Sequence, residues 1–182
     1  LTDGFVHGTS ETDKKTLPAY STWSQPAGGA HINACESDTP CIFMVNFKGA
    51  VDMNPVETPT ESGSNATVTM GSEIPWKNMR ENMDNGPKMH VITGNPKEGA
   101  FDALIWLPGG MSTDVHTHSS AFAAAVISGT HQRGADATTL KTLGPGSVWH
   151  EASNSPHMEK CTGPEPCIFA ISFDGPLDTN KV

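Results

Sequence analysis

Apolar and polar residues alternate through the C-terminal half of the chain in short runs cut by glycine and proline. Phe101, Ala103, Ile105 and Leu107 alternate with Asp102, Leu104 and Trp106, and Pro108-Gly109-Gly110 ends that run. Residues 115–118 read as short and extended, and 121–128 read as a buried strand closed by Gly129. Residues 139–143 lead into Gly144-Pro145-Gly146, with further strands predicted over 147–151 and 168–173. Many short strands with this punctuation predict an all-β chain, a sandwich or a closed barrel. The single helical pattern, 78–84 with Met79 and Met83 on one side, amounts to one or two turns.

The pattern repeats. A shift of 126 positions lays residues 15–52 on 141–178 without a gap, and 14 of the 38 positions are identical. The identities include Trp23/Trp149, His31/His157, Cys35/Cys161, Cys41/Cys167, Phe43/Phe169 and Phe47/Phe173. Two copies of one unit are present, and they are unequal. Positions 116 and 118 would map ahead of residue 1, so the first copy lacks its front half. A cleaved or truncated polypeptide, or another chain that completes the unit, accounts for this. Leu1 at the start, with no apolar signal segment, carries the same expectation of a processed chain or a fragment. Three segments are expected: a partial unit over 1–52, a linker and strand-entry segment over 53–88, and a complete unit over 89–182.

Composition narrows the partners. Lys and Arg number 11 against 20 Asp and Glu, a net charge of −9, which argues against a nucleic-acid backbone binder. The apolar runs are too short to span a bilayer as a helix. Asn65-Ala66-Thr67 is a glycosylation sequon, meaningful only in a eukaryotic secreted protein.

Each cysteine pair, Cys35/Cys41 and Cys161/Cys167, brackets five turn-forming residues just before an apolar run. A reverse turn brings each pair within bridging distance, so two short-loop disulfides and a periplasmic or secreted location are expected. Reduced, buried thiols are the alternative. A four-cysteine zinc site has the wrong spacing.

His116-Thr117-His118 places two imidazoles at i and i+2, on one face of a strand. His157, after Pro156, supplies a third. Three neutral imidazoles can hold a divalent metal, Fe, Zn, Mn or Cu, and leave positions open for water or substrate. Taken alone, the His-x-His pair is equally a polar surface strand. Glu151 alternates with Ser147 and Trp149 and could point inward as a fourth ligand; a solvated strand-end carboxylate is the alternative. His7, His90 and His131 read as surface or packing residues.

Gly110, five residues, His116-x-His118, ten residues and Gly129 together resemble the first motif of the cupin superfamily. Gly144-Pro145-Gly146 followed by Pro156-His157 resembles its second motif, and Pro26-Ala27-Gly28-Gly29-Ala30-His31 matches that motif's core more closely. His-Thr-His, Ala-Val-Ile-Ser-Gly-Thr and Pro-Cys-Ile-Phe are similar to two-cupin bacterial proteins related to the cupin part of ChrR-type anti-sigma factors. The resemblance implies antiparallel jelly-roll barrels, one complete and C-terminal, one partial and N-terminal, with a metal in the mouth of the complete one. Many cupins carry a glutamate ligand where this chain has Phe122 and Ala123. That departure leaves a three-His site or a replacement by Glu151.

The expected function is a metal-binding cupin acting on a small organic molecule, with iron the first choice of metal and a dioxygenase the first choice of enzyme. Phe122, Trp149 and Ile105 are expected to line its pocket. A non-enzymatic ligand-binding or structural bicupin is the rival, and a hydrolase or isomerase using metal-bound water comes third. A homodimer, or a retained cleaved N-terminal fragment, is expected to cover the incomplete unit.

Overall fold

The computed structural model describes residues 3–56 and 66–182. Leu1 and the sequon residue Asn65 lie outside the described residues. The chain forms two compact units, Leu1–Ile74 and Pro75–Val182. Among the described residues no helix is long and apolar enough to cross a membrane.

The first unit holds β1 (Phe5–Gly8), β2 (Lys15–Leu17), β3 (Thr22–Ser24), β4 (Ile32–Cys35) and β5 (Thr67–Thr69). Strand β1 lies between β2 and β4, and β3 pairs with β5, all antiparallel.

The second unit holds β6 (Lys77–Asn78), β7 (Lys88–Gly94), β8 (Phe101–Leu107), β9 (His116–Thr117), β10 (Phe122–Ser128) and β11 (Thr130–Gly134). It continues with β12 (Lys141–Leu143), β13 (Val148–Glu151), β14 (Met158–Thr162), β15 (Cys167–Phe173) and β16 (Asn180–Lys181). A six-stranded sheet runs β13-β10-β15-β8-β7-β6, a three-stranded sheet runs β12-β11-β14, and β16 pairs with β9. Every registered pair is antiparallel.

Period-two alternation builds the core of this unit. Phe101, Ala103, Ile105 and Leu107 of β8 meet Phe169, Ile171 and Phe173 of β15 and Phe122 and Ala124 of β10, with both C-terminal cysteines in the same cluster. Phe101 stacks on Phe173 at 5.0 Å, and Phe173 on Phe122 at 4.8 Å. Each such buried phenylalanine contributes about 1.5–3 kcal/mol of transfer free energy. The one-residue link from β10 to β11 is Gly129, at φ 81°, where a Cβ would sit 2.7 Å from the Pro166 carbonyl oxygen. Only glycine fits there without displacing backbone.

Several sequence expectations change. The helical turn over 78–84 is absent: Lys77–Asn78 is a strand on β7, Asn82 is left-handed at φ 62°, and the Gly86 N–H donates to Met83 O in a turn. Segment 53–88 carries β5, a short 3-10 turn (Gly71–Glu73) and β6. Strands β7, β11 and β14 form in addition to those expected, their mixed polar sequences hiding the alternation.

The repeat is structural as well as sequential. Register pairs Phe5↔Leu17, His7↔Lys15, Phe5↔Cys35 and His7↔Asn33 recur 126 residues later as His131↔Leu143, Arg133↔Lys141, His131↔Cys161 and Arg133↔Glu159. Left-handed backbone recurs too, at Tyr20 and Gly146 and at Gly28 and Asn154. His7 is buried, contrary to its surface reading, because it occupies the inward position that Arg133 holds in the second unit.

Candidate metal centre

Backbone pairing brings His116 and His157 together. The two residues bridge antiparallel, each N–H donating to the other's carbonyl at 2.9 Å, and their ring centroids lie 4.4 Å apart. His118, two residues on, keeps its ring on the same face, 5.0 Å from His116 and 5.1 Å from His157. One ligand nitrogen from each of the three lies within 4.8 Å of the others.

Each ring is oriented by a main-chain carbonyl. His116 Nδ1 donates to Asp114 O at 2.9 Å, His157 Nδ1 to Ser155 O at 2.9 Å, and His118 Nδ1 to Asp178 O. A carbonyl oxygen only accepts, so each Nδ1 carries the proton and each Nε2 keeps its lone pair. This is how metal-binding imidazoles are held. His157 Nε2 is buried with no hydrogen-bond partner. Burial, reinforced by the Arg133 charge, pushes the His157 pKa down to about 4, and burial lowers that of His118 as well. Both rings are neutral at pH 7, as ligation requires.

The structure brings together three of the four ligands expected from sequence. Glu151 faces inward but is turned to Arg133, whose Nη2 and Nε donate to its Oε2 at 2.9 and 3.3 Å. Burial alone would raise its pKa; the Ser155 hydrogen bond and Arg133 hold it below the usual carboxylate range. Phe122 stands beside the cluster, edge-on to His118 at 5.6 Å and to His157 at 5.8 Å. Trp149 is partly buried and stacked on His131 at 5.3 Å, and Ile105 belongs to the apolar core.

Sequence reasoning missed Arg133 and Glu159. Glu159 follows His157 by two on the same face, and its carboxylate accepts from Arg133 Nη1 and lies 3.8 Å from His131 Nε2. Burial would raise its pKa, but the neighbouring His131 and Arg133 hold it at about 2. Behind the three imidazoles the barrel thus stores two carboxylates against one guanidinium. That excess negative charge favours a cation in the adjoining site. The alternation His157, Glu159, Cys161 was the available signal, once β14 is read as a strand.

Both disulfides form. Cys35–Cys41 and Cys161–Cys167 each span six residues with a Cα–Cα distance of 5.7 Å.

A family described as a domain of unknown function (DUF4437) matches residues 2–180. The chain belongs to the DUF4437 family. No curated protein sequence matches it. Among solved structures, the polyketide cyclase RemF from Streptomyces resistomycificus is similar at 19% identity and TM-score 0.51, over 61% of this chain and 81% of that one. An RmlC-like cupin from Shewanella frigidimarina is similar at 20% identity and TM-score 0.47, over 60% and 89%. The anti-sigma ChrR complex with SigE from Rhodobacter sphaeroides is similar at 18% identity and TM-score 0.44, over 57% and 50%. At these identities the likeness is one of fold alone.

Proposed function

We propose that this DUF4437 chain is a metal-dependent bicupin of an oxidising compartment, periplasmic or secreted, with one divalent ion held in its C-terminal barrel by His116, His118 and His157. The observation that carries the reading is the set of three Nδ1–H groups tied to carbonyls, which leaves three Nε2 lone pairs on one cluster. The donor set fits Fe, Zn, Mn or Cu, and iron is our first assignment. When bound, such an ion supplies a Lewis acid with open coordination positions, and iron adds oxygen chemistry.

The chain's own groups then bind and shelter a small organic molecule at the mouth. Phe122 supplies an apolar wall next to the imidazoles and excludes water there. Arg133, Glu151 and Glu159 fix the charge behind His157 without entering the cluster. A dioxygenase acting on that molecule is the enzymatic form of this reading. The position of Phe122, an aromatic ring where many cupins have a carboxylate ligand, favours the second reading, a ligand-binding or structural bicupin with a reduced metal site.

Elemental analysis of chelator-free protein, with oxygen uptake across a panel of small organic acids, phenols and thiols, tests both. Stoichiometric iron with uptake supports the dioxygenase. A bound ion without turnover supports the second reading, and protein that neither retains nor takes up metal refutes the metal-dependent reading and favours the second.

The matching registers at an interval of 126 residues support two cupin units, the N-terminal one represented by its back half. The disulfides support the compartment.

A further inference from the structure

The three imidazoles are not held alike. His116 and His157 each donate to a carbonyl two residues back in the chain, Asp114 O and Ser155 O, so local turns set their tautomers. His118 donates to Asp178 O, 60 residues along the chain. The bond that keeps the proton on His118 Nδ1, and so leaves its Nε2 bare, comes from a separate segment, residues 174–181. This segment follows β15 and runs antiparallel beside the stretch that carries two of the ligands. The Asp174 N–H donates to Ala121 O at 3.0 Å, Ser120 Oγ donates to Pro176 O at 2.9 Å, and β16 pairs Asn180 with Thr117 and Lys181 with His116. At its centre the Asp178 carboxylate accepts the Ser119 N–H at 2.8 Å on Oδ1 and the Ser119 hydroxyl at 2.5 Å on Oδ2, where Asn180 Nδ2 also donates at 3.2 Å. One residue thus holds the His118 ring with its carbonyl and the next peptide with its side chain. Strand β9 is two residues long and lies between the His157 bridge and β16, so its shape depends on both neighbours.

We propose, resting on the three-histidine site above, that residues 174–181 are a strap that makes His118 a metal ligand, with Asp178 and Ser119 as positioning residues, so that docking of the strap and occupancy of the site are coupled. With the strap docked, His118 Nδ1 carries the proton and Nε2 offers its lone pair to the cluster. With the strap released, the ring loses that acceptor, and an unconstrained neutral imidazole in water favours the proton on Nε2, the nitrogen a metal needs bare. His116 and His157 keep their local carbonyls in either state, so the released form retains two prepared ligands and binds more weakly. Linkage makes the effect reciprocal: an ion that prefers the docked form tightens the strap by the same factor that the strap tightens the ion.

The test uses the whole chain as wild type, Asp178→Ala, Asp178→Asn and, as control, Asp174→Ala, which removes an exposed carboxylate of the same segment outside the clamp. Imidazole nitrogen-15 shifts of metal-free protein read the His118 tautomer, calorimetric titration with Zn(II) reads affinity, and hydrogen exchange at the β16 amides with and without Zn(II) reads the strap. Asp178→Ala is expected to move the His118 proton from Nδ1 toward Nε2 and to weaken Zn(II) binding at least ~10-fold. Asp178→Asn, whose amide oxygen still accepts the Ser119 N–H, is expected to stay within about threefold of the wild type, as is Asp174→Ala. Zn(II) is expected to slow β16 exchange at least ~10-fold in the wild type and far less in Asp178→Ala. An unchanged tautomer in Asp178→Ala, with or without a loss of affinity, would overturn the proposal, and so would β16 exchange indifferent to bound Zn(II). Wild-type protein that binds no ion while the tautomer still switches would overturn the metal site and the coupling, and would leave the strap's hold on the ring standing.

Discussion

Replacing Arg133 with methionine is expected to cost the second unit about 3 kcal/mol at pH 7. Methionine keeps the stem but removes the guanidinium that accounts for the hydrogen bonds to Glu151 and Glu159. The Glu159 carboxyl is held at about 2 against an ordinary 4.5 by the His131 hydrogen bond together with the Arg133 charge, so Arg133 supplies part of a shift worth roughly 3 kcal/mol in all. Breaking a buried pair by deleting one partner falls in the same range, about 3–5 kcal/mol. The sign with pH is fixed. Because the folded pKa lies below the unfolded one, this stabilisation is fully present above about 4.5 and is lost as pH falls through about 2. The penalty of the substitution is therefore expected to shrink to under half by pH 3. Urea unfolding of chelator-treated protein, followed at the β10 and β15 amides by NMR, isolates the barrel that holds Arg133. A loss under about 0.5 kcal/mol at pH 7, the usual range for a surface substitution, would refute the reasoning. So would an equal loss at pH 3 and pH 7.

The remaining predictions are independent of one another. Mild reductant is expected to open Cys35–Cys41, where Cys35 is exposed, and to spare Cys161–Cys167, which is wholly buried; differential alkylation and mass mapping read this directly, and equal labelling would count against it. Glu151→Gln is expected to lower stability while leaving metal affinity within about threefold, because Glu151 serves Arg133 and not the cluster; a tenfold loss of affinity by calorimetry would restore it as a ligand. Gly129→Ala is expected to destabilise by about 1–3 kcal/mol in thermal unfolding, since the new Cβ is strained at φ 81° and collides with Pro166 O; a neutral effect would mean the link relaxes freely.

Much of this architecture was legible because its signals are local. Strand β8 places Phe101, Ala103, Ile105 and Leu107 at every second position, the cysteine pairs bracket their own turns, and His116-x-His118 needs only the period of a strand. What escaped depends on partners distant in sequence. Strands β11 and β14 carry Arg133 and Glu159 inward, and a charged inward residue reads as a surface one until its opposite number is known. Glu151 was legible as inward-facing but not as claimed by Arg133, eighteen residues away. The carbonyls of Asp114, Ser155 and Asp178 that set the ring tautomers leave no side-chain signature at all. Phe43, Val45 and Phe47, the repeat's counterparts of Phe169, Ile171 and Phe173, are exposed where those are buried, a difference that depends on what packs over each segment.

The central claim is that His116, His118 and His157 form one metal site. Titrating chelator-treated protein with Co(II) and following its visible absorption, in the wild type and in His118→Ala, His157→Ala and the exposed-histidine control His150→Ala, tests it most directly. The account predicts saturation at one ion per chain in the wild type and in His150→Ala, with the absorption abolished or binding weakened at least ~10-fold in the other two variants. No stoichiometric binding in the wild type, or binding that survives His118→Ala and His157→Ala unchanged, would contradict it.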